Sequence, residues 1–168
     1  MKILKDIEKI REYLNYLEEH ILNIQKAWLE IQEKCNDMFF IQDDNYYENI
    51  GQAVIEHDLS KVSEFEFIQY QKSFYPSENQ KDKYDMSESW KHHLDNNSHH
   101  WENWTKKYST GLYKQDWVVS CVHMIIDWMA MGYKFNDTAQ SYYEKNKHKI
   151  NIPDKARKLM YQIFERIR

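Results

Sequence analysis

ILKDIEKIREYLNYLEEHILNIQKAWLEI, residues 3–31, is the most regular stretch of this chain and decides its fold class. Its apolar residues recur at alternating steps of four and three, the spacing that places side chains on one side of an α-helix. The members of this seam are Ile3, Ile7, Ile10, Leu14, Leu17, Ile21, Ile24, Trp28 and Ile31. The spacing predicts one long helix, which is either a core helix or one of the two helices of a coiled-coil dimer. Leu4, Leu22 and Leu29 widen the apolar stripe, which favours burial in a globular bundle.

The composition of the 168-residue chain also favours helices. Only 3 glycines and 2 prolines occur, so the chain is poor in the residues that tight turns and hairpins need. A chain of this length usually forms one domain with a core of its own. We therefore predict an all-α, compact helical bundle with a single domain over residues 1–168.

Charge and hydropathy exclude several classes of protein. A net charge of −4 leaves no basic surface for a nucleic-acid partner. No apolar run approaches the roughly 18 residues that a membrane helix needs, and the N-terminus has no apolar signal segment. The 2 cysteines, Cys35 and Cys121, form no CxxC pair. These features predict a soluble cytoplasmic protein of a reducing compartment.

Further helices follow the first one along the chain. They are predicted over residues 46–58, 62–74, 114–131, 137–147 and 153–167, with another opened by Ser87 and a polar loop over 76–87. In the helix over 62–74 we expect Phe65, Ile68 and residues 70–74 on the apolar side and Glu66 on the surface. Gly132 is expected to end the helix over 114–131.

HDLSK, residues 57–61, is the motif that carries chemistry. The adjacent His57 and Asp58 can offer an imidazole and a carboxylate to one divalent cation. His20 lies at the edge of the first seam, where it can point toward the bundle interior. Asp127 stands in the apolar run VVSCVHMIIDWMAM, where a carboxylate is costly unless it is paired or bound to a metal. The alternatives for Asp127 are a buried salt bridge and an exposed helix edge.

A histidine-rich stretch, HHLDNNSHHWENW, covers residues 92–104. If it is one helix, His93 and His100 share a face, and His92 and His99 share a neighbouring one. Two imidazoles on one face could complete a second metal site, whereas the simpler reading is a solvated polar face. His123 either orients Asp127 or is a core histidine with its hydrogen bonds satisfied.

Lys61 follows Asp58 by three residues. Its ammonium can stand near a metal and stabilise the charge of a phosphate. It is equally well explained as a solvated lysine at the start of a helix.

Together these residues resemble the HD-domain superfamily of metal-dependent phosphohydrolases, whose pattern is a His, then His-Asp, then a distal Asp on a helical bundle. The residues that match this order are His20, His57, Asp58 and Asp127. HDLSK also resembles the HD-x-x-K form of HD phosphodiesterases, in which further histidines bind a second metal. His93 with His99 or His100 would fill that role. The GYP signature of the cyclic-dinucleotide enzymes is missing, so their substrate is not implied.

The chain resembles more closely a family of short bacterial and phage proteins whose activity is not established. The matching stretches are HDLSK, SEFEFIQY, HHLDNNSHHWENW and IIDWMAMGYKF, which span most of residues 13–150.

The superfamily resemblance implies a phosphohydrolase acting on a small-molecule phosphoester, with a nucleotide or cyclic nucleotide as the expected substrate. It implies one or two divalent ions from the set Mn, Fe, Ni, Zn and Mg. The expected ligands are His20, His57, Asp58 and Asp127 for the first ion, and His93 and His100 for the second, with Asp58 as the bridge. Lys61 would stabilise the developing charge, and His99 would protonate the leaving oxygen. Trp90, Trp101 and Tyr84 are candidates to stack on a base.

Two other functions fit the same residues. One is a non-catalytic phage or bacterial factor that binds a nucleotide or a protein on an HD-like scaffold. The other is a helical homodimer in which the N-terminal heptads make the interface.

Overall fold

The computed structural model describes residues 2–77, 85–109 and 117–168 of the chain. These residues form nine α-helices and one short 3-10 turn, and no strand occurs among them. The helices are α1 (Lys2–Lys34), α2 (Phe39–Gln42), α3 (Asp44–Ile55), α4 (Glu64–Phe74), α5 (Ser87–Asn96), α6 (Trp101–Ser109), α7 (Trp117–Phe135), α8 (Ala139–Asn146) and α9 (Asp154–Ile167), and the 3-10 turn is Leu59–Val62. The all-α prediction is confirmed.

The chain divides into two compact units. The first unit comprises Met1–Ile21 and Asp58–Asn97, and the second comprises Leu22–His57 and Ser98–Arg168. The long helix α1 contributes residues to both units. The boundary also passes between His57, which belongs to the second unit, and Asp58, which belongs to the first. The single domain over 1–168 stays a prediction.

The first unit has a small core and an unusual α4. This helix packs on α5 and on the 3-10 turn, and its buried residues are Glu66, Tyr70 and Gln71. Phe65 and Ile68 are 50% and 49% exposed. Tyr70 is buried as expected, but the expectation is wrong for Phe65, Ile68 and Glu66, because the acid faces inward and the two apolar side chains face solvent.

The second unit is built around α7. This helix packs against α3, α6, α8 and α9, and most of its residues are buried. Apolar side chains on nearly every side of a helix are what a central core helix requires. None of the helices in the described part of the chain is long and apolar enough to cross a bilayer.

The helix α1 buries a stripe rotated from the predicted seam. Leu17, Ile24 and Ile31 are buried as expected. The three widening leucines, Leu4, Leu22 and Leu29, are exposed, and so are the seam residues Ile3, Ile7 and Leu14. The buried residues Tyr13, His20 and Ala27 lie on the opposite flank of the seam. They are seven positions apart, and each comes one position before a seam residue (Leu14, Ile21 and Trp28). The expectation that the leucines widen a buried stripe is wrong, because the heptad spacing allows either flank to be buried.

The end of α7 differs from the prediction. The helix continues to Phe135, and the residue in the left-handed region is Asn136, with φ of 52°. The amide of Asp137 donates to the carbonyl of Gly132 at 3.0 Å. Gly132 therefore lies inside the last turn, and Asn136 ends the helix.

Candidate metal centre

The His57-Asp58 pair lies on a sharp reversal of the chain. The helix α3 ends at Ile55, so the pair follows the helix instead of finishing it as predicted. Asp58 has φ of 57° and is followed directly by the 3-10 turn. The left-handed region is disfavoured for residues with a Cβ, but aspartate enters it more readily than most. Backbone outliers of this kind cluster at functional sites.

In the first unit, the carboxylate of Asp58 lies between two imidazoles. Its Oδ2 is 3.5 Å from His20 Nε2, and its Oδ1 is 3.4 Å from His93 Nε2. All three side chains are buried. Both distances exceed the usual length of a hydrogen bond. They are close to the separation of about 3.3–3.4 Å between two ligand atoms that each lie about 2.0–2.1 Å from a tetrahedral ion.

Lys61 contacts the same carboxylate. Its Nζ donates to Asp58 Oδ2 at 2.5 Å, and its side chain is only 12% exposed. The explanation of Lys61 as an ordinary solvated lysine does not hold. The ammonium instead places a positive charge directly beside the candidate metal ligand.

Glu66 is a buried acid of the candidate site that the sequence patterns did not predict. Its side chain is fully buried, and its Oε2 accepts from His93 Nδ1 at 2.9 Å. Its Oε1 lies 2.6 Å from His92 Nδ1. A proton on His93 Nδ1 leaves the lone pair of Nε2 facing Asp58. Carboxylates that orient metal-binding histidines act in this way.

The second unit contains a group of three buried histidines. His57 Nδ1 is 2.8 Å from His123 Nε2, and the ring of His99 lies 4.4 Å from that of His57 and 4.8 Å from that of His123. Ring nitrogens of these three residues lie close enough to hold one ion. His57 Nε2 is 3.8 Å from Asp127 Oδ1. The chain thus carries imidazole and carboxylate groups that could hold a metal ion.

Nearly the whole chain matches one known protein family. A family model described as a family of unknown function, DUF5662, matches residues 9–167. The chain belongs to DUF5662. No curated protein and no solved structure matches it. Kinship to the HD-domain superfamily stays a prediction.

Several sequence expectations change in this DUF5662 chain. The histidine-rich stretch is not one helix, because α5 ends at Asn96 and α6 begins at Trp101. His99 and His100 lie between these helices, so His100 does not share a helix face with His93. His92 is bound to Glu66, so the stretch is more than a solvated polar face.

Two further expectations concern α7. His123 is buried, and its Nε2 lies 2.8 Å from His57 Nδ1, which agrees with the alternative of a hydrogen-bonded core histidine. The side chain of Asp127 is 17% exposed, and its Oδ1 lies 3.8 Å from His57 Nε2. Asp127 is therefore mostly buried beside an imidazole.

The aromatic candidates for base stacking differ in their surroundings. Trp90 is exposed, and its ring stacks on His93 at 5.7 Å and 24°. Trp101 packs against the core of the second unit. Tyr84 lies outside the described residues. Of the two described candidates, Trp90 is the one that is exposed and lies beside a candidate ligand.

Proposed function

We propose that this DUF5662 chain is a metal-dependent phosphohydrolase that acts on a nucleotide or cyclic nucleotide. One observation supports the metal site most strongly. The two oxygens of the buried Asp58 carboxylate lie 3.5 and 3.4 Å from the Nε2 atoms of His20 and His93. This is the donor set and the spacing that a divalent transition metal favours.

The proposed ligands are those expected from the sequence. They are His20, His57, Asp58 and Asp127 for one ion and His93 and His100 for a second one, with Asp58 shared. The first unit supports this set through the contacts of Asp58, and the second through the contact of His57 Nε2 with Asp127. His57 and Asp58 are joined by one peptide bond, with His57 in the second unit and Asp58 in the first.

A bound divalent ion lowers the pKa of water and neutralises phosphate charge. Lys61 adds an ammonium beside Asp58, which favours binding of the anionic substrate. His99 is proposed to give its proton to the leaving oxygen as the P–O ester bond breaks and the oxygen of water bonds to phosphorus. Glu66 keeps the proton of His93 on Nδ1.

Metal analysis of protein purified without a His-tag tests the proposal first. We expect roughly one or two equivalents of a divalent transition metal per chain, and loss of metal in Asp58→Asn, because asparagine keeps the tolerance for positive φ but removes the charge. Asp44→Asn is the matched control, since Asp44 is exposed in the first turn of α3. A metal content below about half an equivalent per chain, with no increase after reconstitution with metal, would reject the proposal.

A screen of nucleotides and cyclic nucleotides tests the reaction. We expect hydrolysis by the metal-loaded protein and a loss of at least roughly a hundredfold in kcat/KM for His57→Ala and Asp58→Asn. Metal binding without turnover of any substrate, but with saturable nucleotide binding, would favour the non-catalytic binding protein instead.

A further inference from the structure

Two buried tyrosines of the first unit have hydroxyl groups with no hydrogen-bond partner among the described residues. Tyr13 on α1 is 0% exposed and Tyr70 on α4 is 5% exposed, and the hydroxyl oxygens of both are unpartnered. Their rings belong to the same small core cluster, together with Leu17. Two other described tyrosines have hydrogen-bonded hydroxyls. Tyr133 donates to Glu30 at 2.6 Å, and Tyr161 donates to Glu144 at 2.7 Å.

An unpartnered buried hydroxyl costs stability, because it gives up its hydrogen bonds to water without replacing them. Phenylalanine would fill the same space without this cost. Groups that lower the stability of the protein in this way are typical of sites that bind something. The paired occurrence of two such hydroxyls in one small cluster points to a common ligand.

The surroundings of the two hydroxyls are those of the candidate metal centre. The ring of Tyr70 lies 5.7 Å from the ring of His93 and 5.8 Å from Lys61 Nζ. Burial raises the pKa of Tyr13. The charge of Lys61 lowers this pKa, and those of Tyr70 and Asp58 raise it. Burial likewise raises the pKa of Tyr70, with Glu66 and Asp58 adding to the effect.

A tyrosine hydroxyl can donate a hydrogen bond without changing its charge. Two neutral donors beside a lysine ammonium form a site for an oxyanion with several equivalent oxygens. A phosphoryl group has this chemistry.

We infer that Tyr13 and Tyr70 donate hydrogen bonds to non-bridging oxygens of the phosphoryl group of the substrate, next to Lys61. This inference rests on the proposed function and names the subsite that binds the reacting group. The two hydroxyls bind the anion, Lys61 adds charge to it, and no part of this subsite reads the base or the sugar.

Binding of inorganic phosphate to metal-loaded and to metal-free protein tests the inference. The variants are Tyr13→Phe, Tyr70→Phe and the double substitution, and Tyr143→Phe is the control because Tyr143 is equally buried in the second unit. Phosphate affinity is measured by isothermal titration calorimetry, and adenosine is the ligand that lacks a phosphate. The melting temperature of each variant is measured without phosphate.

We expect each single substitution to weaken phosphate binding by roughly three- to tenfold, the effect of one lost hydrogen bond. The melting temperature should stay unchanged or rise, since a costly buried group has been removed. The control should change neither phosphate affinity nor the response to adenosine.

Unchanged phosphate affinity in the double variant would overturn the inference, and so would a wild-type protein that binds no phosphate with or without metal. A lower melting temperature at unchanged affinity would assign both tyrosines to packing alone. The metal content of the same samples tests the proposed function separately. Hydroxyl-dependent phosphate binding by protein that takes up no metal would support the tyrosine subsite and reject the metal-dependent enzyme.

Discussion

At the scale of single residues, Glu66 has the most consequential surroundings. It is an acid with no exposed surface on a helix whose neighbouring apolar residues are exposed. A buried carboxylate is tolerated only with partners that replace water, and here both of its oxygens contact imidazole Nδ1 atoms. Its role is therefore to orient His92 and His93.

Replacing Glu66 by glutamine should lower the metal affinity of the protein by roughly ten- to a hundredfold. The amide has one acceptor oxygen in place of two, so His92 and His93 cannot both keep their partner. Competition with a chromogenic chelator measures the affinity. Glu64→Gln is the matched control, because Glu64 is exposed on the same helix.

Normal metal affinity in Glu66→Gln, with only a lower melting temperature, would contradict this role and leave Glu66 as a packing residue. Restoration of metal affinity by Glu66→Asp would support it, since aspartate keeps both acceptor oxygens.

Sequence patterns found the histidines of the site but not its buried acid. His20, His57 and Asp58 were found because an imidazole-carboxylate pair is chemically recognisable in a sequence. Glu66 was assigned to the surface because an isolated acid on a helix is usually solvated. One signal was available in the sequence, since Glu66 stands one turn before Tyr70 on the same side of α4.

At the scale of elements, the end of α7 depends on the absence of a side chain at Gly132. A Cβ at this position would lie 2.5 Å from the carbonyl oxygen of Asp137, which belongs to the backbone. The backbone that follows Asn136 therefore packs directly on the helix. A Cβ at Gly51, inside α3, would meet no atom within 4 Å.

These two glycines make a matched pair for measurement. Gly132→Ala should reduce the free energy of unfolding by about 1–3 kcal/mol, because the backbone around Asp137 must shift. Gly51→Ala should raise it by about 0.5–1 kcal/mol, because alanine favours the helix. Urea unfolding followed by circular dichroism gives both values. Equal effects of the two substitutions would refute the close packing at Gly132.

The existence of the long helices was predictable, but their ends were not. The helix α1 shows the period of an α-helix through four heptads, and α7 is a long apolar run without proline or internal glycine before residue 132. The end of α7 instead depends on Asn136, and α3 ends three residues before Asp58; these are the two non-glycine residues with positive φ among those described. Local backbone conformation at one residue leaves no trace in periodicity, so the predicted ends were wrong by three to four residues.

At the scale of the whole molecule, bound metal should stabilise the fold. The candidate ligands of each unit come from segments far apart in sequence, so an ion that binds them binds the native state in preference to the unfolded chain. Removal of metal with a chelator should lower the melting temperature, and a divalent ion should restore it. At a hundredfold excess over the dissociation constant the effect is about 2.7 kcal/mol.

Differential scanning calorimetry measures this shift directly. The Asp58→Asn variant should show the melting temperature of the chelated protein and no response to added ion. If none of Mn, Fe, Ni, Zn or Mg shifts the melting temperature of the wild-type protein, the metal centre is rejected.

The sequence by itself determined that this protein is helical, because periodicity and the scarcity of glycine and proline are local properties of the chain. It also named His20, His57, Asp58 and Asp127 as candidate ligands. Only the tertiary structure decided which flank of α1 is buried, that Glu66 faces inward, and that the hydroxyls of Tyr13 and Tyr70 are buried without partners. The physical reason is that burial of a polar group depends on the groups packed against it, and these come from distant parts of the chain.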